Sequence, residues 1–186
     1  MSQAKPSLDK KLSQTLEDDM RAVTVLRKNK LFTHALAAMF SSIDKMAWLS
    51  TAGHESEGKD FKAWVDTYLI AGQPAPYTAK DLWAARCGLL HTGAAESRDY
   101  RKNDANLLYY LVNDKRTDAE VMQIIDPYLQ SQGIAPSQVT LVQYHALVIE
   151  YIDALRRFED ALLIDATLHT RAAEKAGWQL GFRVEE

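Results

Sequence analysis

The chain has 186 residues, with 22 Lys and Arg against 25 Asp and Glu, and therefore a formal net charge of −3 at pH 7. Its length is that of one domain, its 47% hydrophobic content can form a substantial core, and its single Cys excludes an internal disulfide and any Cys-rich zinc framework. The charge gives no overall electrostatic case for binding nucleic acid, which would need a local basic patch.

The chain has no apolar run of the roughly 18 residues that a membrane span needs. Its first 20 residues are polar and charged, unlike the apolar segment of a signal peptide. We therefore expect a cytoplasmic protein without membrane contact, folded as a single domain over residues 1–186.

Apolar residues recur with helical spacing along most of the chain. This periodicity predicts an all-α bundle of five to six helices, over 7–29, 31–50, 57–71, 79–92, 118–131 and 138–175. The helix over 31–50 is apolar on both flanks of its stripe, and we expect it to lie buried at the centre.

Local signals set several boundaries. Thr78 is a good N-cap for the fourth helix, which is expected to end at Gly93, and Ser137 is expected to open the longest helix. Residues 93–104 are predicted to form a polar, basic-leaning loop. The apolar run near 105–113 fits either a short β element or a buried helical turn, because periodicity cannot separate the two.

Metal and nucleophile motifs are missing from the sequence. There is no Glu-x-x-His, and none of the five His residues lies four positions from another, so we expect no metal and no cofactor. Cys87 lies in mid-helix among apolar residues, where a thiol is usually inert. There is also no Gly-x-Ser-x-Gly and no phosphate-binding Gly-rich loop.

Arg86 and His91 stand out on the fourth predicted helix. Five residues rotate the helix by about 500°, or about 140° past one turn, so the two side chains do not share a face. They could still meet if Arg86 reaches round on its flexible stem, or if a second copy of the helix lies opposite. The structural alternative is a salt bridge for Arg86 and a helix C-terminal position for His91.

The segment Arg-Cys-Gly-Leu-Leu-His over 86–91, near the end of a helix in a small all-α domain, resembles the signature of the HEPN superfamily. Its members are small helical bundles, usually homodimers, and many are metal-independent RNases of toxin–antitoxin and defence systems. The resemblance implies a cleft at the dimer interface in which each chain supplies one Arg and one His. It also implies an RNA substrate and an antitoxin or regulatory partner.

By this resemblance, His91 would be the general acid/base in attack of a ribose 2′-hydroxyl on the adjacent phosphate, and Arg86 would hold that phosphate. Many active members carry Asn or Asp directly after the Arg, where this chain has Cys87. This departure separates a nuclease from a catalytically inactive HEPN-like dimer that acts as an interaction or ligand-binding module. A third hypothesis is an unrelated helical regulator.

Four further residues are candidates for substrate binding. Asp44 could orient Arg86 or His91, or be a surface residue beside Lys45. Arg98, Arg101 and Lys102 follow the motif closely and could bind RNA phosphates. Alternatively, they belong to a solvated loop whose charge is balanced by acidic neighbours.

Overall fold

Eight α-helices and one pair of short strands make up the part of the chain that the computed structural model describes, residues 8–72, 74–93 and 97–179. In chain order the elements are α1 (Lys10–Lys28), α2 (Phe32–Ser50), α3 (Gly58–Trp64) with a π-helical turn (Val65–Leu69), α4 (Ala79–Thr92), α5 (Arg98–Arg101), β1 (Leu107–Leu111), α6 (Asp118–Ser131), a 3₁₀ turn (Pro136–Gln138), β2 (Val139–Gln143), α7 (Tyr144–Ile164) and α8 (Ala166–Gly177). The all-α bundle with a short β element that the sequence predicts is confirmed. The two additional helices are α5 and α8.

Helix α2 lies at the centre of the bundle, as its apolar flanks predict. It packs against α1, α3, α4 and α8. Buried side chains on several sides of α2, including Met39, Phe40 and Ile43, join the main hydrophobic cluster. Because α2 is held on several sides, it provides a rigid position for the polar side chains that it carries.

The apolar run near 105–113 contains a strand. β1 pairs in parallel with β2, in a register that places Leu107 opposite Val139 and Leu111 opposite Gln143. Helix α6 forms the connection between them, as a parallel pair requires. A second, smaller hydrophobic cluster lies under this unit and includes Leu107, Val121 and Leu129.

The prediction of one long helix over 138–175 is wrong. Ser137 lies in the 3₁₀ turn, residues 139–143 form β2, and the helix begins only at Tyr144. It ends at Ile164, and Asp165 then caps α8 by accepting hydrogen bonds from the backbone N–H groups of Thr167 and Leu168. β2 is short and apolar and finds its partner in β1, so its own residues do not reveal the strand.

Two other predicted elements need correction. The helix over 57–71 consists of α3 and the π-helical turn, whose last carbonyl groups accept hydrogen bonds from the Arg157 guanidinium: Tyr68 O lies 2.7 Å and Leu69 O 3.4 Å from its nitrogens. The loop over 93–104 contains the one-turn helix α5, capped by Ser97, and its residues 94–96 lie outside the described residues. No helix in the described part is long and apolar enough to cross a membrane.

Candidate functional site

Helix α4 is fixed at both ends, and this sets the position of Arg86 and His91. A capping box joins Thr78 and Asp81 at its start, and Gly93, with a φ of +68°, ends it in the left-handed conformation that Gly adopts most readily. The second carboxylate oxygen of Asp81 accepts a hydrogen bond from the backbone N–H of Asn106 at 2.6 Å. This bond ties α4 to the segment that leads into β1.

Arg86 and His91 meet within one chain although they lie on different faces of α4. The Arg86 guanidinium reaches round the helix and brings Nη1 to 3.0 Å from Nε2 of His91. Its central carbon lies 5.0 Å from the centroid of the Trp83 ring, so the aromatic face supports the cation. The sequence allows the two side chains to meet either through the flexible stem of Arg86 or across a second copy of the helix. The flexible stem is sufficient.

Asp44 on α2 holds the other side of the guanidinium. Its Oδ2 accepts a hydrogen bond from Nε of Arg86 at 2.7 Å and forms an ion pair with Nη2 at 2.6 Å. Lys45, the neighbour that could have formed an ion pair with Asp44, instead pairs with Asp19 at 2.7 Å. The structure therefore places Asp44, Arg86 and His91 in one connected row, with His91 at the exposed end.

The electrostatics of this row keep Arg86 cationic. Partial burial acts to lower the pKa of Arg86, but the hydrogen bond and the charge of Asp44 outweigh it and leave the pKa raised. Burial raises the pKa of Asp44, against the opposing effect of Arg86 and His91. A fixed cation beside an exposed imidazole can bind a phosphate and move a proton next to it.

A cavity of about 880 Å³ opens beside His91, between α4, α5, β1 and α6. Arg98 and Arg101 line it, whereas the exposed Lys102 does not. Cys87 forms part of the wall, and burial raises the pKa of its thiol, so Cys87 is not an activated nucleophile. Two of the three basic residues proposed from the sequence thus share a cavity with His91.

Sequence reasoning missed the aromatic residues of this region. Trp83, Tyr109 and Tyr128 line the cavity, and Tyr128 comes from α6, far along the chain from the Arg-x4-His motif. Only the pairing of β1 with β2 brings α6 to this place. The solvent exposure of Tyr128 is the feature that would single it out as a binding residue, and a sequence does not show exposure.

Among residues 8–72, 74–93 and 97–179, no group of three or more His, Cys, Asp or Glu side chains is placed to hold a metal ion. Comparisons of the chain with protein-family models, with curated proteins and with solved structures gave no match. Any functional assignment therefore depends on the motif and on the geometry of the site.

Proposed function

We propose that this protein is a metal-independent RNA endonuclease of the HEPN type that acts through Arg86 and His91. The observation that carries the proposal is the contact of 3.0 Å between the Arg86 guanidinium and the His91 imidazole, with Asp44 bound to the far side of Arg86. The three side chains provide a cation for the phosphate, a proton carrier beside it, and a support for the cation.

In the proposed reaction, Arg86 binds the scissile phosphate and stabilises the charge that develops on it. His91 accepts the proton of the ribose 2′-hydroxyl while the 2′-oxygen forms a bond to phosphorus and the bond to the 5′-oxygen breaks. The products are a 2′,3′-cyclic phosphate and a 5′-hydroxyl. In a homodimeric cleft of the kind that the resemblance implies, the partner's His91 is available to protonate the leaving oxygen.

The second candidate is a catalytically inactive HEPN-like dimer that binds a ligand, an antitoxin or another regulatory protein. Cys87 favours it, because this residue stands where many active members carry Asn or Asp. The net charge of −3 also favours it, since proteins that bind RNA usually present a basic face.

The test is incubation of the purified protein with a structured RNA in EDTA. We expect cleavage that resists the chelator and that falls at least about 100-fold in both His91→Ala and Arg86→Ala, because each substitution removes a group that acts in the transition state. His34→Ala is the matched control: His34 is exposed near the start of α2, apart from the site, and the variant should cleave like the wild type.

Cleavage that survives both substitutions would remove Arg86 and His91 from the mechanism. Light scattering on the same samples measures the proposed dimer. A dimer of wild-type protein that cleaves no RNA would support the inactive module instead.

A further inference from the structure

We propose that the cavity beside His91 binds an unpaired nucleobase of the RNA, with Tyr128 as its stacking platform, so that the protein selects single-stranded RNA at the cleavage site. This inference rests on the proposed nuclease function. It adds a base-binding site to a mechanism that so far handles only phosphate and ribose.

The cavity has the size and the position that such a site needs. Its volume of about 880 Å³ lies within the range of roughly 300–1,000 Å³ that is usual for small-molecule sites. His91 lies on its edge, so a nucleotide whose phosphate meets Arg86 and His91 has the cavity directly beside it. Buried Leu129 contributes an apolar wall, which suits the faces of a base.

Tyr128 is a large aromatic residue on the exposed surface of α6. It lines the cavity, yet 61% of the residue is exposed to solvent. A tyrosine held on a helix at the mouth of a cavity can stack on a base at little cost in conformational entropy, and such stacking tolerates any base. Tyr109 on β1 adds a second ring to the lining.

The charges around the cavity fit a polyanion. Arg98 and Arg101 both line it, and among the residues that the structure describes Asp99 is the only carboxylate in the lining. Arg98 lies 3.8 Å from that carboxylate, whereas Arg101 makes no ion pair with any residue that the structure describes. Arg86, beside His91, is paired with Asp44, so among the described residues that line the cavity Arg101 is the cation available to a phosphate next to a docked base.

A base that enters the cavity cannot remain paired and stacked in a duplex. The geometry therefore favours loops, bulges and single strands over helical RNA. The preference would come from the protein's shape and would hold whether or not the RNA can be cleaved.

Binding is measured by fluorescence anisotropy with a short, fluorescein-labelled RNA of mixed sequence that carries 2′-O-methyl groups and so cannot be cleaved by its own 2′-oxygen. We expect Tyr128→Ala to raise the Kd about tenfold, the effect of losing one stacked base. Tyr128→Phe should bind like the wild type. Ile124→Ala is the matched control, because Ile124 lies one turn earlier on α6, is 56% exposed and does not line the cavity.

Two further comparisons use the same assay. Annealing the probe to its complement should weaken binding by about tenfold or more. Arg101→Ala should weaken binding and reduce its dependence on salt, whereas Lys102→Ala, the exposed neighbour outside the cavity, should do so less. Circular dichroism of each variant checks that the fold is intact.

The base site is overturned if Tyr128→Ala binds the single strand as tightly as the wild type, or if the duplex binds equally well. It is overturned as well if the wild type binds no RNA. His91-dependent cleavage of unmodified RNA is scored separately. Cleavage with no effect of Tyr128 leaves the nuclease and removes the base site, whereas Tyr128-dependent binding without cleavage supports the base site and removes the nuclease.

Discussion

A single carboxylate oxygen determines how the Arg86 side chain lies. Oδ2 of Asp44 accepts a hydrogen bond from Nε and forms an ion pair with Nη2, which leaves Nη1 directed toward His91. The side chain of Asp44 is 29% exposed and that of Arg86 is 18% exposed, so solvent screens the pair only in part. In the proposed nuclease, Asp44 is therefore a positioning residue, which would act on the phosphate through Arg86.

We expect Asp44→Asn to lower kcat for RNA cleavage by about 10- to 100-fold, as when a supporting carboxylate is removed from a functional side chain. The free energy of unfolding should fall by no more than about 1 kcal/mol, because the ion pair is partly exposed. Single-turnover kinetics and urea unfolding measure the two effects. Asp18→Asn, on the exposed face of α1, should change neither, and equal rates for both variants would remove Asp44 from the site.

Among individual residues, the sequence predicts Arg86 and His91 on α4 better than the aromatic residues around them. The spacing of Arg86 and His91 admits a contact, and Asp44 can be considered as its support, because all three are conspicuous polar residues in apolar segments. Trp83 and Tyr128 give no such signal. An aromatic residue at helical spacing is usually part of a core, and only the fold shows that these two border a cavity.

At the scale of the elements, α8 secures the C-terminal end of α2, the helix that carries Asp44. The ammonium group of Lys175 donates to the carbonyl groups of Trp48 at 2.6 Å and of Thr51 at 2.8 Å, and to the Thr51 hydroxyl at 2.9 Å. A helix leaves its last carbonyl groups without partners, and a cation there also interacts favourably with the helix dipole. Lys175 is only 4% exposed, so its bonds replace those to water.

Lys175→Met should lower the free energy of unfolding by about 2–3 kcal/mol, because it removes the charged donor that Thr51 O and Trp48 O share while keeping most of the side-chain volume. Urea denaturation measures the loss. Glu174→Gln, at the exposed neighbouring position, provides the control and should unfold like the wild type. A Lys175→Met protein as stable as the control would show that water satisfies the end of α2 equally well.

The helices with clear caps, such as α4 and α6, are the elements that sequence predicts most closely. Thr78, predicted as an N-cap, caps α4 within a capping box, and Thr117 caps α6 in the same way. The division of residues 138–175 is missed for two physical reasons. The strand β2 is defined by a partner about 30 residues away, and the break at Asp165 depends on a side chain that could equally lie on the surface of a continuous helix.

On the scale of the whole molecule, enclosed phenol groups determine how the fold responds to alkali. Burial raises the pKa of Tyr77, Tyr110 and Tyr151 well above the ordinary value, and the bond from the Tyr77 hydroxyl to Glu150 adds to the effect at that residue. Above about pH 10 these groups ionise in the unfolded chain but not in the folded one. The unfolded state then binds fewer protons, so stability falls as the pH rises.

We expect the free energy of unfolding to decline above about pH 10, by up to about 1.4 kcal/mol per pH unit for each such tyrosine. Burial lowers the pKa of Lys175, so below the ordinary pKa of a lysine this residue makes the free energy of unfolding rise with pH. This contribution offsets a part of the decline that the tyrosines cause. Urea unfolding at a series of pH values measures the slope. Tyr110→Phe should make it shallower, and an unchanged slope would show that Tyr110 ionises in the folded protein.

The two hydrophobic clusters of the fold have a consequence for its motions. The smaller one, under β1 and α6, contains far fewer buried side chains than the main one around α2. A unit with so little buried surface can open by itself while the rest of the molecule stays folded. The cavity takes Leu108 from the main cluster and Leu129 from the smaller one, so it lies across the boundary between them. A molecule seated there would bridge the two clusters and slow the exchange of amide hydrogens in β1 and α6.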